Sequence, residues 1–100
     1  MKLPNQIKAG GHIYKILKNY HFKEKTDLFG QSDHALLQVR IVKYDGGGNQ
    51  LAESKIEEIF IHELLHIINE IYNSNKLDEK TIERLSYGLH QVLKDNKLLK

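Results

Sequence analysis

Apolar and polar positions divide this chain into two parts with different periods. Up to residue 48 the alternation is short and two-fold; beyond residue 50 it follows the three-to-four spacing of helices. Leu3 to Ala9 reads as a short extended segment, with Pro4 barring it from a central strand. Gly10-Gly11 marks a turn. His12 to Tyr20 reads as a strand in which Ile13, Lys15 and Leu17 alternate with Tyr14, Ile16 and Lys18. The polar stretch Lys23 to Asp33 reads as a loop. His34 to Tyr44 carries the clearest strand pattern, with Leu37, Val39 and Ile41 on one face and Gln38, Arg40 and Val42 on the other. Asp45-Gly46-Gly47-Gly48-Asn49 then breaks the chain.

Two helices follow. The first is predicted over 50–74, with Ser54 and Glu57 as a capping box. Its apolar residues, from Ile56 to Ile71, spread nearly all round, as in a buried central helix. Asn73-Ser74-Asn75-Lys76 forms a turn. The second helix spans 78–97, and Ile82, Leu85, Leu89, Val92 and Leu93 are its expected core stripe. Asp78 and Glu79 suit its N-terminus, Lys94 and Lys97 its C-terminus. Strands first and helices afterwards predict a single α+β domain over 1–100, with a small, mainly antiparallel sheet packed on an antiparallel helix pair.

Composition narrows the chemistry. The 100 residues include no cysteine, which excludes disulfides, thiolate metal sites and cysteine nucleophiles. The net charge of +2 is too small to predict a nucleic-acid or acidic-membrane partner. Met1 to Asn5 lacks the apolar core of a signal peptide, and no apolar run approaches the ~18 residues of a membrane span. A cytoplasmic protein is expected, with no membrane partner.

The motif His62-Glu63-Leu64-Leu65-His66 carries chemistry. Histidines four apart on a helix project from one face, one turn apart, so two imidazoles can reach a single Zn2+ at about 2.0–2.1 Å. Glu63 lies to one side, placed to take a proton from metal-bound water and return it to a leaving amine. A chance match in a chain this long arises on the order of a few times per thousand. These histidines also fall in the most apolar helix, where unpaired imidazoles are costly to bury.

A catalytic zinc needs a third protein ligand. Asn69, Glu70 and Tyr72 stand where a closely following histidine would be, so the ligand is expected from the second helix. With the turn centred between residues 76 and 77, residue 64 faces roughly residue 89. His90 lies there. Glu83 faces roughly residue 70, about 9 Å further along, and is the alternative.

The helical HELLH followed by a polar turn and the second helix TIERLSYGLHQVLKDN resembles the minigluzincins, small metallopeptidases related to the gluzincin group. The resemblance spans essentially the whole chain, although only HELLH is highly specific. It implies zinc ligands His62 and His66 and the general base Glu63. It also implies a histidine third ligand, for which His90 is the one histidine after the motif. One zinc per chain and a peptide or protein substrate follow. The strand near Leu36 to Ile41 would be the cleft's edge strand, where a peptide binds by adding a strand. Latency is implied too, through residues around Asp95 to Lys100 or through a homodimer that exchanges the second helix. A non-catalytic zinc module is the competing function, although it has no need of Glu63.

Tyr87 precedes His90 by nearly a turn and is either packing or a hydrogen-bond donor to a reacting oxyanion. His12, His21 and His34 read as structural or exposed, and His34 is the best placed of the three to approach a cleft.

Overall fold

The computed structural model describes residues 2–23 and 28–98. The chain begins with strands β1 (Gln6–Ala9) and β2 (His12–Leu17). Gly10 and Gly11, at φ 59° and 80°, make the two-residue turn that sets Ala9 against His12. Strands β3 (Gly30–Asp33) and β4 (Gln38–Ile41) follow, then helices α1 (Glu53–Tyr72) and α2 (Glu79–Asp95). The sheet order is β1-β2-β4-β3, with β2 and β4 parallel and the other two pairs antiparallel. Tyr14, Ile16, Val39 and Ile41 from the sheet meet Ile59, Phe60 and Ile67 of α1 in one core. The α+β architecture is therefore as expected, with a mixed sheet of four strands. No helix among the described residues is long and apolar enough to cross a membrane.

Five local expectations are corrected. Gly30 to Asp33 forms a strand, not a loop. Pairing with β4 builds it despite poor strand residues, and it is the edge of the sheet. The strand expected from His34 starts only at Gln38. The Asp33 carboxylate accepts from the Ala35 and Leu36 amides and holds that stretch in a turn. The strand near Leu36 to Ile41 is consequently interior, not the edge. The capping box is absent: Ala52 precedes α1 with no side-chain cap, and Glu57 is buried.

The fifth correction concerns α2. Ile82 and Ser86 face inward, whereas Leu85, Leu89 and Val92 are exposed. Glu57 explains the rotation. Its carboxylate, 1% exposed, accepts from Lys94 Nζ at 2.8 Å and lies 3.1 Å from His90 Nε2. A buried carboxylate needs such partners, and meeting them turns the polar His90 side of α2 towards α1. Burial alone would raise the Glu57 pKa, but hydrogen bonds and charge, those of Lys94 and His90 among them, outweigh it and hold it at about 2.

Asn69, also 1% exposed, sets where α2 begins. Its Oδ1 accepts from the Leu77 amide and Asn73 Nδ2, and its Nδ2 donates to the Leu77 carbonyl and Asn75 Oδ1, all at 3.0–3.1 Å. Ser74 and Asn75 take positive φ of 51° and 55°, which doubles the link back along the last turn of α1. The second helix then starts lower on α1 than a symmetric hairpin allows. Glu57 meets His90, about six residues earlier than that hairpin gives.

Asn69→Ala is expected to cost about 2–4 kcal/mol in denaturant unfolding, since it leaves buried polar groups of the link unpaired. Glu57 gives a pH signature. A carboxylate held below its unfolded value of 4.5 stabilises the fold above that pH and loses the contribution as pH falls towards about 2. Glu57→Gln should lower stability by about 2 kcal/mol at neutral pH. The deficit should shrink through that acid window, measured as Tm against pH.

Candidate metal centre

The two motif histidines lie in the middle of α1, on the side facing the start of α2. Their Nε2 atoms stand 3.1 Å apart. Each is also 2.8 Å from one oxygen of Glu79, so the carboxylate spans both rings. The donors of His62, His66 and Glu79 all lie within 4.8 Å of one another. Tetrahedral zinc with bonds of about 2.0–2.1 Å spaces its ligand atoms about 3.3 Å apart. The triangle here is a few tenths of an ångström tighter, and its two-nitrogen, one-oxygen chemistry fits zinc. The His62 and His66 side chains are 20% and 29% exposed, so the centre opens to solvent on one side.

That side is a cleft of about 590 Å³ between α1, α2 and β3. Glu63 forms part of its wall and is 6% exposed. Ser32 of β3 anchors it, its hydroxyl lying 2.7 Å from Glu63 Oε1 and 3.2 Å from the Glu63 carbonyl. Burial raises the Glu63 pKa, opposed by the Ser32 hydrogen bond and by the charge of His66, and reinforced by Glu79. Gly30 permits this approach. A Cβ there would stand 2.8 Å from Ile59 Cγ2 and 3.0 Å from Glu63 Oε2.

The expected third ligand is placed elsewhere. His90 is committed to Glu57 and does not line the cleft. Glu83 does line it, one turn beyond Glu79, but its Oε1 accepts from the Tyr87 hydroxyl at 2.7 Å. That contact, with burial and nearby carboxylates, raises the Tyr87 pKa. Glu79 is the residue that sequence reasoning missed as a donor, having been assigned to the helix N-terminus alone. The signal was the run Asn73-Ser74-Asn75, whose left-handed turn shortens the climb between the helices. His34 does reach the cleft wall, its Nδ1 3.1 Å from the Tyr14 hydroxyl. Residues 95–98 do not line the cleft, and residues 99 and 100 lie outside those described.

Comparison with family models, with curated proteins and with solved structures finds no match to this chain. The motif and the geometry around it are therefore what bears on function.

Gly30→Ala is expected to push Ile59 and Glu63 apart, at a cost of about 1–3 kcal/mol in urea unfolding. An unchanged midpoint would mean that β3 does not press on α1 there.

Proposed function

We propose that this chain is a zinc-dependent metallopeptidase of the minigluzincin kind, with His62, His66 and Glu79 as ligands of one Zn2+ and Glu63 as general base and acid. The observation that carries it is the convergence of two imidazole nitrogens and a carboxylate beside a buried, anchored glutamate at an open cleft. Bound zinc would supply a Lewis acid for the scissile carbonyl and acidify a water. The chain's own residues supply the rest. Glu63, fixed by Ser32, is positioned to take a proton from a water in the cleft and pass it to the leaving amine. Edge strand β3 presents Gly30, Gln31 and Ser32 to the cleft, so an extended peptide can lie alongside it. Glu83 is a second carboxylate on the same wall and the natural replacement should Glu79 be removed.

Metal analysis of untagged protein is expected to give about one zinc per chain. His62→Ala and His66→Ala should lose it, Glu79→Ala should weaken it by about 10–100-fold or more, and His90→Ala should retain it. Glu63→Ala should keep zinc while peptide hydrolysis falls by about 10²–10⁴-fold. Stoichiometric zinc with no cleavage of any peptide library would point instead to a non-catalytic metal module. Acid should strip the metal, because protons compete for the imidazoles, with zinc content dropping between neutral pH and about 4.5.

A further inference from the structure

Helix α2 carries a second organised surface, away from the cleft. Leu85, Gly88, Leu89 and Val92 follow the i, i+3, i+4, i+7 spacing of one helix face. The three apolar side chains are 49%, 40% and 55% exposed. Gly88 sits in the middle of the 17-residue helix, where glycine weakens helix relative to alanine. Nothing among the described residues accounts for it: a Cβ there would meet none of their atoms within 4 Å. A glycine notch within an exposed apolar stripe lets another helix approach closely.

We infer that this face packs against the same face of a second copy, as an antiparallel α2–α2 pair crossing at Gly88. The stripe is self-complementary. A two-fold axis between residues 88 and 89 sets Leu89 of each copy over Gly88 of the other, and Leu85 against Val92. Charge agrees with the same alignment. Arg84 and Asp95 are about three turns apart along one edge of the stripe. Both are exposed, and neither side chain forms an ion pair or hydrogen bond with another described residue, the charge of Arg84 being felt only by nearby Asp78. Antiparallel packing brings like edges of the two helices together, and this register sets Arg84 of each copy about two residues, or about 3 Å, from level with Asp95 of the other, within reach of its long side chain, twice. The side chains facing the cleft, Glu83 and Tyr87, lie on the other side of α2, so the pair leaves the candidate metal centre open. This dimer packs intact helices and exchanges nothing. One helix pair is a small interface, so the association is weak.

Sedimentation equilibrium from about 1 μM to about 1 mM tests it. The apparent mass should rise from 11.6 kDa towards twice that value. Leu89→Glu should raise Kd by at least about tenfold with no change in zinc content. Gly88→Ala should raise the Tm of dilute monomer yet weaken the dimer, a combination that a purely local role for Gly88 does not give. Arg84→Asp should weaken the dimer, and Arg84→Asp with Asp95→Arg should restore it. A monomer throughout the range overturns the inference. So does a dimer indifferent to Leu89→Glu, which would pair by another face or by helix exchange.

Discussion

The arrangement of this molecule depends on the Asn69 side chain, which satisfies both polar groups of Leu77 from inside the helix hairpin. A buried amide with four partners tolerates one geometry only. That geometry fixes where the second helix starts, and hence which of its residues stands beside the paired histidines. Had the link climbed further before turning, Glu79 would have lain beyond reach and a later residue would have faced the motif. The proposed metal site is thus a consequence of the turn as much as of the motif.

A second buried polar residue sets the rotation of the same helix. Glu57 is nearly inaccessible and ionised, so it must be met by cations or donors, and Lys94 and His90 meet it. The histidine that seemed best suited to a metal is therefore engaged elsewhere. Turning that polar side inward leaves Leu85, Leu89 and Val92 outside, which is why an apolar stripe survives on the surface of a small domain. Register and rotation, fixed at opposite ends of the hairpin, together decide what the cleft contains.

Much of this was legible in the sequence, because its signals are local. The break at the triple glycine, the apolar girth of α1, the turn at Asn73 and the four-residue spacing of His62 and His66 all follow from chain periodicity. What escaped depends on partners far along the chain. Strand β3 is made of Gly30, Gln31, Ser32 and Asp33, residues with no strand preference, and exists because β4 offers an edge. The Ser32–Glu63 contact joins positions from different elements and leaves no periodic trace. The choice among Glu79, Glu83 and His90 turned on the register of the two helices, which runs about six residues or more from the value that a symmetric turn gives.

X-ray absorption at the zinc edge reads the proposed ligand set directly. Zinc-loaded protein should show two imidazole ligands and otherwise oxygen donors, a pattern unchanged in His90→Ala. Three imidazoles, one of them lost in His90→Ala, would contradict the account, as would a spectrum without histidine ligation.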